Sequence, residues 1–126
     1  MLTYCSLINP CFSLDGDCYE DSRSRLLGEL RKDDRQSMTP EMCQRICFVD
    51  NDFTYSGVQY FHECFCGNVE PPTTKLRTRS ECDAPCAGNS DKMCGGSWRM
   101  NVYKNQVRLS GRIIIFSLKN NYKMLY

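Results

Sequence analysis

Apolar and polar positions along the chain change period several times, and each change marks an element. Thr39-Pro40-Glu41 opens a helix: the threonine hydroxyl can accept from an orphan helix N–H, proline suits the first helical position, and glutamate suits the first turn. Met42 stands where a full capping box would place Glu or Gln. Met42, Cys43, Ile46 and Cys47 then share one helical face, so a helix is predicted over residues 40–49, ended by Asp50-Asn51-Asp52. Phe53 to Val58 is aromatic and β-branched and reads as a strand. A turn over Tyr60 to Glu63 leads to a second strand, Cys64-Phe65-Cys66, with its cysteines on one face and Phe65 on the other. From Trp98 to Tyr103 the chain alternates, with Trp98, Met100 and Val102 on one side and Arg99, Asn101 and Tyr103 on the other, which predicts a closing strand with one buried face. A short strand is expected at Cys18-Tyr19, and an exposed connection from there through Gln36. The run Arg31-Lys32-Asp33-Asp34-Arg35 reads as a solvated loop, residues 80–86 hold one helical turn, and Cys86 to Cys94 encloses a tight polar loop.

The cysteines fall on this pattern in a telling way. Cys43 and Cys47 are four residues apart on the helix, and Cys64 and Cys66 two apart on the strand. At about 1.5 Å per helical residue the first pair spans about 6 Å. At about 3.3 Å per strand residue the second spans about 6.6 Å. The pitches nearly match, so two parallel disulfides can staple the helix flat onto the sheet, within the narrow geometry a disulfide tolerates. Ten of the 126 residues are cysteine, an even number and a high one for a chain of one-domain length, which points to an oxidising compartment and a cross-linked scaffold. Zinc is the rival reading, but the chain has no C-x-x-C pair and a single histidine, His62, so no metal ligand set is predicted.

Net charge is +1, too weak a field to recruit nucleic acid or an anionic membrane. Lys75, Arg77 and Arg79 follow Pro71-Pro72 as a small basic stretch, read as a solvated loop in preference to a heparin-like patch. Residues 1–17 lack the basic start and apolar run of a signal peptide, so the chain is expected to be a piece of a longer exported protein. No segment has the roughly 18 apolar residues of a membrane span. Residues 1–14 form an N-terminal segment in which Cys5 and Cys11 can close on each other or pair elsewhere. Residues 15–104 form the domain. Residues 105–126 carry Ile113-Ile114-Ile115-Phe116 and no cysteine, and are expected to be a tail outside it.

Several stretches together resemble the WSC domain: Cys18-Tyr19-Glu20-Asp21, Met38 to Cys43 with Cys47, Phe53 to Val58, Glu63-Cys64-Phe65-Cys66-Gly67-Asn68, Cys82-x-x-x-Cys86-x-Gly88, and Cys94-Gly95-Gly96-Ser97-Trp98 through Tyr103. One departure is Asp17, which stands between Gly16 and the first cysteine of the pattern. The resemblance implies an α+β, disulfide-rich, PAN/apple-like domain with one α-helix packed on an antiparallel β-sheet. It implies the pairings Cys18–Cys82, Cys43–Cys64, Cys47–Cys66 and Cys86–Cys94. It also implies an extracellular or lumenal, non-catalytic module that binds a glycan or polysaccharide, with no cofactor; the alternative is a protein-interaction module of a receptor ectodomain, with an extracellular protein as partner.

Sugar recognition combines a flat aromatic ring against C–H faces with polar groups on hydroxyls. Trp98, after a Gly-Gly bend, is the leading candidate, weighed against simple packing on a disulfide. Tyr60 and Phe61 sit on a turn. Asn89, Asp91, Arg99 and Asn101 offer hydrogen bonds. Tyr55 and Phe65 read as core. A catalytic role finds no support: His62 has no evident nucleophile partner, its neighbour Glu63 points to the other face of a strand, and the pairs Glu20/Asp21 and Asp33/Asp34 lie in exposed stretches.

Overall fold

The computed structural model describes residues 16–105 in full. Outside that range it gives only short backbone strands, Thr3–Tyr4 paired with Phe12–Ser13, and Arg112–Ser117 paired with Arg108–Leu109 and Asn121–Leu125. The expectations for the N-terminal segment, for Cys5 and Cys11, and for the character of the tail lie outside the described residues.

Eight strands and one helix organise the described part. In chain order they are β1 (Asp17–Glu20), β2 (Leu30–Asp33), α1 (Pro40–Gln44), β3 (Tyr55–Gln59), β4 (Glu63–Gly67), β5 (Leu76–Arg77), β6 (Pro85–Cys86), β7 (Asn89–Met93) and β8 (Arg99–Lys104). Six of them make one sheet in the order β2-β4-β3-β8-β1-β5, antiparallel at every pairing. β6 and β7 form a separate hairpin. The fold is thus a small α+β disulfide-rich domain.

The helix starts as the sequence dictates. Thr39 is extended at φ −139°, and its hydroxyl accepts from the Met42 N–H at 3.0 Å. After Gln44 the coil widens into a π turn over Arg45–Asp50, and the Asn51 side chain donates to the Ile46 carbonyl at 2.8 Å, meeting an acceptor that the helix end leaves open. Cys43–Cys64 and Cys47–Cys66 both form, with the same Cα–Cα distance of 5.4 Å. The helix therefore lies level over β4, as the matched pitches require. Cys18–Cys82 and Cys86–Cys94 bring the number among the described residues to four.

The sheet buries both faces. On the helix side Met38, Phe48, Val58 and Tyr103 pack with the cysteines. On the other side Leu27, Tyr55, Phe65, Met100 and Val102 make a second core, roofed by the segment after β1. Gly57 makes room for it: a Cβ there would lie 2.2 Å from the Met100 sulfur. Tyr55 and Phe65 are core, as their residue types suggest.

Four expectations are corrected. The 31–35 run is not a loop: residues 30–33 form edge strand β2, paired with β4, because a sheet edge needs only one bonded side and the charged side chains of Arg31 to Asp33 stay in water. β8 is buried on both faces, since Tyr103 joins the helix-side core while Met100 and Val102 fill the other. Trp98 precedes that strand on a turn and does not continue its face. The Cys86–Cys94 loop is the β6–β7 hairpin, with β7 exposed throughout. Boundaries also move: the third strand begins at Tyr55 rather than Phe53, and the turn over residues 80–86 shortens to a 3-10 turn at Arg79–Glu81.

Candidate functional site

Gln59 and Glu63 are cross-strand partners at the end of the β3–β4 hairpin, and Gln59 also faces Met100 of β8. By the period of two along each strand they share the Phe65 face, away from the helix. Three residues close the hairpin: Tyr60, Phe61 and His62. Tyr60 and Phe61 have φ of +48° and +60°, a left-handed backbone that asparagine and glycine usually supply in hairpin turns. On β8's side, the Gly96 and Arg99 backbones bond to each other at 2.8 and 3.2 Å, so Ser97 and Trp98 form the tip of a tight turn. Trp98 has φ +54°.

Among the described residues, only Asp52 joins these three aromatics as a non-glycine with positive φ. Such conformations cost on the order of 1–3 kcal/mol and persist where surroundings over-determine them. They do so here. The Phe61 N–H donates to the Cys94 carbonyl at 3.0 Å, its carbonyl accepts from the Ala87 N–H at 2.9 Å, and the Trp98 carbonyl accepts from the Asp21 N–H at 3.0 Å. The Gly95 N–H donates to the Asn101 side chain at 2.7 Å.

Between the two turns lies an open pocket of about 190 Å³, lined by Arg25, Gln59, Tyr60, Glu63, Ser97 and Trp98. Tyr60 is 48% exposed and Trp98 44%. The Arg25 guanidinium lies 5.1 Å from the Trp98 ring centre and 5.1 Å from that of Phe65. It is held at 2.8 Å by Asp21, whose carboxylate is fully buried. Arg31 lies 5.3 Å from the Phe65 ring centre, and bonds Glu63 at 2.8 Å and Asp33 at 3.0 Å. Its hydrogen bond holds the Asp33 carboxyl below the usual range. The indole thus rests on a guanidinium, a cation–π contact.

Of the residues singled out from sequence, Trp98 and Tyr60 meet in the pocket. Phe61 is half-buried, 5.3 Å from Tyr60 and 4.5 Å from His62 between ring centres, and supports Tyr60 from behind. Arg99 bonds Glu81 at 2.7 Å and the Trp98 carbonyl at 2.9 Å, so it braces the turn without lining the pocket. Asn89 accepts from the Asp91 N–H at 3.0 Å; both lie on exposed β7, outside the pocket lining. Asn101 is buried as the brace of Gly95. Arg25, Gln59, Glu63 and Ser97 were not picked out from sequence as binding residues. Arg25 fell in the stretch read as a connection, and nothing local signals that β8 will come to lie beside it.

His62 is buried, with neither ring nitrogen hydrogen-bonded. The sulfurs of Cys43, Cys47 and Cys64 lie within 4.8 Å of one another, but as disulfide sulfurs they offer no thiolate, the form that binds metal. Arg77 of the basic stretch is tied to Glu20, whose carboxyl it holds below the usual range. Among the described residues no helix is long and apolar enough to cross a membrane.

Fold and cross-links define a disulfide-stapled α+β module with a small aromatic-walled pocket at one end of its sheet. The chain belongs to the WSC domain family, whose sequence profile matches residues 16–96. It is similar to xylosyltransferase oxt of Drosophila pseudoobscura pseudoobscura, 37% identical over 71% of this chain and 10% of that protein. It is also similar to a WSC domain-containing protein of Arthroderma benhamiae, 32% identical over 76% of this chain and 13% of that one. With human Kremen protein 2 it shares 31% identity over 56% of this chain and 15% of that protein. The chain spans about a tenth of the length of the curated relatives it matches first.

Proposed function

We propose that this chain is a non-catalytic carbohydrate-binding module of a larger extracellular or secretory-lumen protein, and that its site is the pocket between Tyr60 and Trp98. One observation carries the reading: two large aromatic side chains are held exposed on left-handed backbone and line the same pocket. Burial of apolar area favours the opposite placement, so the fold gives up stability to present these rings. Rings presented beside Gln59, Glu63 and Ser97 match the needs of a sugar, whose C–H faces stack and whose hydroxyls hydrogen-bond. Four disulfides among the described cysteines fit an oxidising compartment.

The test is a glycan-array screen and an insoluble-polysaccharide pull-down with the full chain refolded under oxidising conditions. Retention on at least one glycan is expected, with Trp98→Ala weakening it about tenfold or more while peptide mapping still finds all four disulfides. Folded protein retained on no sugar would refute the reading, and unchanged affinity in the variant would remove Trp98 from the site.

A further inference from the structure

We infer that the pocket takes a single uncharged pyranose residue, stacked on the one free face of Trp98 and hydrogen-bonded through a hydroxyl to Gln59. This rests on the glycan reading above and adds ligand class, binding mode and a specificity-determining residue.

Gln59 carries the inference. It is only 3% exposed, it lines the pocket, and its Oε1 has no hydrogen-bond partner. Buried polar atoms are almost always paired, because an unpaired one gives up its hydration for nothing. A ligand that reaches this carboxamide meets a need the protein leaves open. A sugar hydroxyl both donates and accepts, so it satisfies the amide whichever way its oxygen and nitrogen point. At an uncharged acceptor, discrimination then falls on whether a hydroxyl is there at all, since a site built to bond a hydroxyl rejects an analogue that lacks it.

Charge excludes acidic sugars. The one cation in the lining, Arg25, is already paired with Asp21 at 2.8 Å, and the one carboxylate, Glu63, shares Arg31 with Asp33 at 2.8 and 3.0 Å, which leaves the two carboxylates short of positive charge. Neither a carboxylate nor a sulfate finds an unmatched cation in the lining, and its desolvation would go uncompensated. Arg25 also occupies one face of the indole. A single face remains, so the ring cannot sit between two sugars. The volume agrees: about 190 Å³ falls below the ~300 Å³ at which pockets engulf a drug-sized ligand, which leaves space for one ring and not for a run of a polymer.

The experiment titrates the full oxidised chain with methyl glycosides of glucose, xylose and N-acetylglucosamine, with their oligomers of two to six residues, and with heparin and polygalacturonate, at low and high salt. Binding is read by chemical-shift changes, and thermal stability is read in parallel. The inference expects affinity to be reached by one or two residues without further gain, to be insensitive to salt, and to exceed that for both polyanions. Gln59→Met should lose about tenfold in affinity, the worth of a hydrogen bond, while the free protein melts no lower than wild type because an unpaired buried acceptor is gone. A merely structural Gln59 would instead lower the melting temperature and leave affinity in place. If Gln59→Met does not form its disulfides, Gln59→Asn, which withdraws the carboxamide by one methylene, should show the same loss. Affinity that climbs with oligomer length, preference for a polyanion with salt dependence, or wild-type binding by the folded Gln59 variant would overturn the inference while the glycan reading stands. Wild-type protein that binds no sugar at all would overturn both.

Discussion

At the scale of the residue, the most informative fact is where left-handed backbone falls. Trp98 at φ +54° lacks the freedom that glycine would have there. Its replacement separates conformation from contact. Trp98→Gly should fold more stably than Trp98→Ala by about 1 kcal/mol, since only glycine enters that region without steric cost; chemical denaturation of the two variants measures it. Gly95 makes the converse case. It has φ +66°, and a Cβ there would lie 2.3 Å from the Arg99 carbonyl oxygen and 2.6 Å from that of Val58. Both obstacles are backbone, so Gly95→Ala should cost about 3 kcal/mol or more and move the whole Trp98 turn. The Gly-Gly bend was legible in the sequence as a device that holds Trp98 near a surface. The turn after Gln59 was legible too, but its left-handed shape was not, because Tyr60-Phe61 is no turn-forming pair; that shape comes from the bonds of Phe61 to Cys94 and Ala87.

At the scale of the element, edges and ion pairs decide more than apolar pattern does. After Leu30, which packs against the helix-side core, β2 is charged and exposed, so periodicity had almost nothing to detect. It becomes a strand because disulfide-anchored β4 offers it a ladder, and its charges discourage pairing with another chain. Around the sheet, Arg77 lowers the Glu20 carboxyl, Arg31 that of Asp33 and Arg99 that of Glu81, in each case chiefly through a hydrogen bond. These carboxyls hold protons less readily folded than unfolded. Their stabilisation is therefore complete above the ordinary carboxylate range, about pH 5, and drains away as pH falls through the lowered values. Unfolding free energy should stay level from about pH 5 to 8 and decline below about pH 4. Arg77→Ala should flatten part of that decline, more visibly at low salt because the Glu20 pair is half-exposed. An acid limb identical in variant and wild type would show that the pair contributes nothing.

At the scale of the whole molecule, the cross-links carry the stability. On the chain-entropy model the loss on removing a disulfide grows with the loop it closes. Cys18–Cys82 spans 64 residues and Cys86–Cys94 only 8, which gives roughly 4 and 2.5 kcal/mol. Double alanine variants should follow that order in urea, with Cys43–Cys64 and Cys47–Cys66 between them at roughly 3 kcal/mol each. Full reduction should abolish cooperative unfolding, since a domain of this size has total stability of the same order as their sum. The sheet order also builds the site. β8, last of the six strands of the main sheet in chain order, enters between β3 and β1, and so brings Trp98 to one pocket with Arg25 and Gln59, residues from three distant parts of the chain.

What the sequence determined by itself is what local chemistry and spacing can encode: the capped helix start at Thr39, the strand between Cys64 and Cys66, and the pitch match that lets one helix clasp one strand. These depend on neighbours a few residues away. The tertiary structure alone decided that the sheet is covered on both faces, that β2 exists, and that Arg25, Gln59, Glu63 and Ser97 join Tyr60 and Trp98 around one pocket. Those outcomes depend on which strands lie side by side, and strand order is set by long-range packing and disulfides, which no window of the chain contains.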